Sequence, residues 1–172
     1  ERLLHARGQS LPDWIALRSA IREDVLARGF NATVGAFTGA YERDYADAAV
    51  LKIGLTGLLE PSDPRWAATV DLVSRELRDG PTVRRYRVDD GLPGDEGGMH
   101  ICTGWLLESL LLLGRVEEAV TLFDQFASMF KGPGILTEQS DPRHGLAVGN
   151  LAQAYSHLAF IDAAVALDRA LV

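Results

Sequence analysis

The sequence predicts an all-α domain built in two layers, on three observations. Segments carrying one apolar stripe alternate along the chain with segments that are apolar nearly all round. Buried inner helices covered by amphipathic outer ones satisfy that alternation. Strand signals are few: GAFTGAY and TVRRYRV alternate only loosely, and neither has an obvious partner with which to build a sheet. At 172 residues, the chain suits one domain with a real core, so residues 1–172 are taken as a single unit.

In residues 12 to 28, Trp14, Leu17, Ile21 and Val25 fall on one stripe. Pro12 suits a first helical turn and Gly29 a stop. DAAVLKIGLTGLL follows as an apolar segment of the second kind. Residues 63 to 78 return to one face, with Trp66, Val70, Val73 and Leu77, entered through Asp63 as N-cap and Pro64 next. ICTGWLLESLLLL is again apolar all round. Residues 116 to 130 carry Val116, Val120, Phe123 and Phe130 on one stripe, and LAFIDAAVALDRALV closes the series. Inner-to-outer links such as EPSDPR and GR are brief. Outer-to-inner links are long: GFNATVGAFTGAYERDY, DGPTVRRYRVDDGLPGDEGG and KGPGILTEQSDPRHGLAVGN. Long loops gathered on one face of a rigid scaffold are where function is expected.

The formal net charge of -7 opposes binding to nucleic acid or to an anionic membrane surface, so neither is expected as a partner. Glu108 and Gly114 interrupt the longest apolar run below the roughly 18 residues of a spanning helix, and no signal-peptide pattern is present. A cytoplasmic location is the expectation. The chain starts at Glu1, and ERLLHARG reads as a helix already under way, which points to a piece of a longer protein. The single cysteine, Cys102, lies in an apolar run and reads as a small buried hydrophobe.

Glu138 in the third loop follows Ile135-Leu136, and Gly132, Pro133 and Gly134 hold its segment away from helix, presenting a carboxylate at the mouth of the inner helices. Gln139 stands beside it, Asn150 at the start of the next helix and Gln153 one turn on. Such amides supply both donors and acceptors for sugar hydroxyls. Asp141-Pro142 initiates a turn. His144 and His157 lack the tight spacing of a metal site with Glu138 and Asp141, so no metal and no cofactor is expected. The second loop crowds Arg85, Tyr86, Arg87, Asp89, Asp90, Asp95 and Glu96 together, which alone reads as a mutually neutralising surface. With its glycines Gly94, Gly97 and Gly98 it matches no phosphate-binding fingerprint.

Taken together, RRYRVDDGLPGDEGGMHICTGWLLESLLLLGRVEEA and GILTEQSDPRHGLAVGNLAQAYSHLAFI resemble the C-terminal half of the catalytic domain of glycoside hydrolase family 15, the glucoamylase, glucodextranase and bacterial trehalase-like enzymes. The resemblance implies about half of an (α/α)6 toroid of alternating inner and outer helices. It also implies inverting hydrolysis of terminal α-glucosidic bonds in an oligosaccharide or disaccharide by two carboxyl groups roughly 6.5–9.5 Å apart. By motif position Glu138 resembles the general base, Arg85 the arginine that hydrogen-bonds the sugar, and Tyr86 and Glu96 site-lining groups, with Gln139, Asn150 and Gln153 beside them. The family's general acid lies in a W-E-x-R-like segment that is missing from this chain. Leu151-Ala152 replaces a Phe-Pro pair, and Met99 and Gly104 stand where aromatics are usual. Half a toroid would leave inner-helix flanks uncovered, so the missing N-terminal half or another copy of the chain is an expected partner.

Two other readings compete. LLLLGRVEEAVTLFDQFA is similar to one tetratricopeptide unit of a helical interaction module, but has no second copy about 34 residues away. The other is a relative that binds sugar without cleaving it.

Overall fold

Asp63 shows how local chemistry sets an element: its carboxylate accepts the Arg65 N–H at 2.9 Å, Pro64 occupies the first turn, and the helix runs to Leu77. The computed structural model describes residues 2–8, 11–91, 96–130, 132–141 and 143–172. In chain order the helices are α1 (Arg2–Ala6), α2 (Pro12–Arg28), α3 (Lys52–Leu55), α4 (Pro64–Leu77), α5 (His100–Leu112), α6 (Val116–Ser128) and α7 (Ala154–Leu171), with a 3-10 turn over Ala48–Leu51. The strands are β1 (Phe30–Asn31), β2 (Ala36–Phe37), β3 (Arg78–Asp79), β4 (Thr82–Val83), β5 (Gly98–Met99), β6 (Thr137–Asp141) and β7 (Leu146–Leu151). The chain is mostly α.

The core gathers around α5, which packs on α4, α6, α7 and the 3-10 turn. Leu106, Leu107 and Leu110 are fully enclosed, together with Trp66, Val70 and Val73 of α4 and Leu122 and Phe126 of α6. A Cβ at Gly104 would lie 2.7 Å from the Cβ of Ala159, so glycine there lets α5 and α7 close on each other. Helix α5 stops at Gly114, whose φ of 72° is left-handed. The Arg115 N–H then reaches back to the Leu110 carbonyl at 2.9 Å and the Gly114 N–H to that of Leu111 at 3.0 Å.

Three expectations need correction. The long connections carry the strands. Strands β1 and β2 pair, and β3 to β7 form one antiparallel sheet in chain order. GAFTGAY and TVRRYRV therefore do have partners, in the latter case β3 and, across the second loop, β5. DAAVLKIGLTGLL is only a 3-10 turn and one turn of α-helix, since Gly57 turns left-handed at φ 74° and Gly54 must stay bare against the Trp66 indole. The stripe of α2 is largely uncovered, with Trp14 63 % exposed. Only Val25 and Leu26, at its C-terminal end, meet the core. Helix α7 buries one side (Ser156, Ala159, Ala163, Leu167) and leaves Leu158, Ile161 and Val165 in solvent, an uncovered inner-helix flank of the kind half a toroid leaves. Among the described residues no helix is long and apolar enough to cross a membrane.

Candidate active site

The five-stranded sheet brings the second and third long connections together. Met99 lies opposite Gln139 and Gly98 opposite Ser140, and the Gly97 N–H donates to Gln139 Oε1 at 3.0 Å. A Cβ at Gly97 would sit 2.3 Å from the Ser140 carbonyl oxygen, so only glycine allows the backbones to meet so closely.

Glu138 stands on β6, half-buried, rather than in an irregular loop. Thr137 faces Leu151 and Gln139 faces Val148, so the single residue Glu138 opposes two, Gly149 and Asn150. This is a β-bulge, and Gly149 takes the left-handed conformation (φ 78°) that such a bulge asks of its first residue. The bulge aims two donors at one carboxylate oxygen: the Asn150 N–H at 3.1 Å and the Asn150 side-chain amide at 2.8 Å both reach Glu138 Oε2. Among the described residues, Oε1 accepts no hydrogen bond. Asn150 thus belongs to β7, not to the next helix. Gln153 is the N-cap residue of α7; its N–H donates to the Leu136 carbonyl at 3.0 Å. The hairpin between β6 and β7 is turned by Asp141, which accepts the Arg143 N–H at 2.9 Å and bonds His144 Nδ1 at 2.6 Å. The contact with His144 is the main reason that its carboxyl is held at about 2. Pro142 lies outside the described residues.

Arg85 follows β4. Its Nε donates to Asp47 Oδ1 at 2.6 Å, and its carbonyl accepts the Ala48 N–H at 2.8 Å. The same Asp47 oxygen caps the 3-10 turn by accepting the Ala49 N–H at 2.7 Å. The carboxylate of Asp47 raises the guanidinium's pKa, so Arg85 stays charged. Tyr86 donates its hydroxyl to Asp90 at 2.9 Å, which pushes the phenol's pKa upward. Glu96 is exposed and held by its backbone, since its carbonyl accepts from the guanidinium of buried Arg84. Its charge is felt at Tyr86 and at Cys102. The structure therefore joins Glu138 with Asn150, Gln139 with the residue after Glu96, and Arg85 with Tyr86 and Asp47. Among the described residues no hydrogen bond links Arg85 directly to Glu138. Asp95 and Gly94 fall outside them.

Against known proteins, residues 2–165 match the model of glycosyl hydrolases family 15. The chain belongs to that family. The trehalase of Mycolicibacterium smegmatis is 40 % identical over 160 residues, covering 91 % of this family 15 chain and 24 % of the relative. That of Mycobacterium tuberculosis is 40 % identical over 161 residues, covering 91 % and 23 %. That of Thermoplasma volcanium is 33 % identical over 168 residues, covering 96 % and 27 %. The chain thus spans about a quarter of the length of these curated relatives. A solved wild-type glycosidase superposes with a TM-score of 0.75 at 22 % identity, over 90 % of this chain and 44 % of that one. The fold is accordingly part of an (α/α)6 toroid, about half of it, and not a tetratricopeptide solenoid.

Two residues of this family 15 chain escaped the sequence reading. Asp47 was legible as an Asp before an apolar run, a helix-cap signal, but its ion pair with Arg85 spans 38 positions. His100 is completely buried, with Nδ1 at 2.8 Å from the Thr137 carbonyl and Nε2 at 2.8 Å from Ser140 Oγ. A carbonyl can only accept, so the proton sits on Nδ1 and Nε2 receives the serine hydroxyl. Burial drives this imidazole down to about 4, hence neutral. Cys102 is enclosed and its thiol is pushed up to about 12 by burial, which leaves it unreactive. His157 Nε2 accepts the Leu136 N–H at 3.1 Å, and among the described residues no His, Cys, Asp and Glu cluster is arranged to hold a metal.

Proposed function

We propose that this chain carries the general-base half of an inverting α-glucosidase active site and that the substrate of the whole protein is trehalose. The observation that carries the reading is the bulge at Glu138. Its two donors fix Oε2 and leave Oε1 as the acceptor for a proton from the water that attacks the anomeric carbon. Family membership supports the reaction class, and the names of the relatives support the disaccharide. One solved relative is a glycosidase variant in complex with glucose.

Arg85, oriented through its Nε by Asp47, offers its terminal nitrogens to sugar hydroxyls, with Tyr86 and Glu96 along the same rim. Gln139 and Asn150 set the geometry of Glu138's strand and carboxylate, and Gln153 shapes the wall where β7 passes into α7. The general acid comes from sequence outside this chain, on the part of the ring that covers the open flanks of α2 and α7.

The test uses the full-length protein carrying this sequence. Glu138→Gln abolishes hydrolysis of trehalose, and NMR of the unmodified enzyme's first turnovers shows one α- and one β-glucose from each α,α-linked disaccharide, as inversion at one centre requires. Release of α-glucose alone overturns inversion. An unchanged rate in Glu138→Gln removes Glu138 from the mechanism, and binding of glucose without hydrolysis of trehalose, maltose or isomaltose assigns the protein to sugar binding.

A further inference from the structure

We propose that His100, bridging the Thr137 carbonyl and the Ser140 hydroxyl from beneath β6, is a positioning residue that holds Glu138 in register for base catalysis. The proposal rests on the reading of Glu138 as base. His100 follows β5 directly and begins α5, the most enclosed helix of the fold, so its ring is tied to the core. The rings of Phe126 and Phe130 meet it edge-on with centroids 5.5 and 5.2 Å away, which leaves the imidazole little room to rotate. Its two nitrogens take hold of β6 on either side of the Glu138-Gln139 pair, each at 2.8 Å. On its other edge β6 meets β7, whose bulge orients the carboxylate. Two supports therefore act on the strand. The Asn150 donors fix where the carboxylate points, and His100 fixes where the strand segment bearing it lies relative to the helical core.

This role is distinct from catalysis: the ring is completely buried among Phe126, Phe130 and β6, out of reach of a substrate. It is also more specific than filling space, since an apolar ring of similar size would pack among the same phenylalanines yet remove both hydrogen bonds, to the Thr137 carbonyl and to the Ser140 hydroxyl.

The experiment compares His100→Phe, His100→Asn and Ser140→Ala in the full-length protein, measuring kcat and KM on whichever of trehalose, maltose and isomaltose it hydrolyses, together with thermal unfolding. In His100→Phe, kcat falls by about 10- to 100-fold while KM stays within about 3-fold, as expected for displacement of a reacting group by less than about 1 Å. His100→Asn, whose amide nitrogen stands where Nδ1 does, recovers most of the rate. Ser140→Ala, which removes one of the two bonds, loses about 3- to 10-fold in kcat. A folded His100→Phe with kcat within about 2-fold of the unmodified protein overturns the proposal. Should His100→Phe fail to fold, an unchanged kcat in Ser140→Ala overturns it equally. Glu138→Gln, run alongside, separates the two levels. A dead Glu138→Gln with fast His100 and Ser140 variants sinks only the positioning role, whereas an active Glu138→Gln sinks the base assignment beneath it.

Discussion

Gly149→Ala should disable the site while leaving the fold standing, and the size of the effect follows from the bulge. Gly149 has φ 78°, so a side chain there costs about 1–2 kcal/mol in backbone strain alone. The added Cβ would also lie 2.8 Å from Glu138 Cβ and 2.9 Å from Glu138 Oε2. Carbon atoms pack at about 3.5–4.0 Å, so Glu138 or the strand must retreat by about 0.7–1.2 Å. Misplacement on the order of 1 Å in a reacting group lowers rates by about 100-fold. Gly145 supplies the control, being left-handed too (φ 65°), with nothing within 4 Å of the place an added methyl would take. Gly145→Ala carries the same strain without the collision. Steady-state kinetics on trehalose and thermal unfolding of both variants in the full-length protein make the comparison. Both variants should lose stability, Gly149→Ala more because of the collision, with kcat reduced about 100-fold only in Gly149→Ala. A Gly149→Ala enzyme with kcat within about 3-fold of Gly145→Ala would refute the claim that the bulge sets the carboxylate.

Other outcomes follow from the same structure. His100 has a folded pKa of about 4 against an ordinary 6.5, so below about pH 6.5 the unfolded chain binds a proton that the folded chain refuses. Stability therefore falls as pH drops, by about 2 kcal/mol between about pH 8 and about pH 5, and denaturant titrations should show this slope vanish in His100→Asn. Cys102, enclosed with a thiol near 12, should resist thiol reagents at about pH 8 in the native protein and react once it is unfolded. Asp47→Ala removes both a cap, worth about 1 kcal/mol, and the partner of Arg85. A lower melting point and a raised KM for the sugar are expected together, and an unchanged KM would detach Arg85 from binding.

Much of the helical frame was legible because its signals are local. Asp63-Pro64 opens α4 as the cap chemistry requires, and the stripes of α4 and α6 turn inward as their periodicity indicates. The order of the motifs brought the family into view, and with it the toroid. What local periodicity does not encode is pairing at a distance. Strands two residues long, such as Gly98–Met99, show no alternation, and their partner lies about forty positions on at Gln139 and Ser140. Glu138 consequently reads as a loop residue. The bulge depends on Gly149 facing Glu138 across a hairpin whose register only the folded sheet fixes. His100 looks like one polar residue at the start of an apolar helix, because both its partners sit near position 140. The stripe of α2 shows the converse limit: periodicity reveals an apolar face but not whether a neighbour covers it.

The sheet of β3 to β7 separates labour within the fold. Helices α4 to α7 hold most of the core, whereas Glu138, Gln139 and Asn150 lie on two adjoining strands, and Arg85 and Glu96 flank two more. Substitutions in the β6–β7 hairpin that keep the Thr137 and Ser140 anchors on His100 can therefore reshape this face while leaving the packing of the helices unchanged. Divergence of substrate within the family should concentrate in these ribbons and leave the scaffold's interior comparatively still.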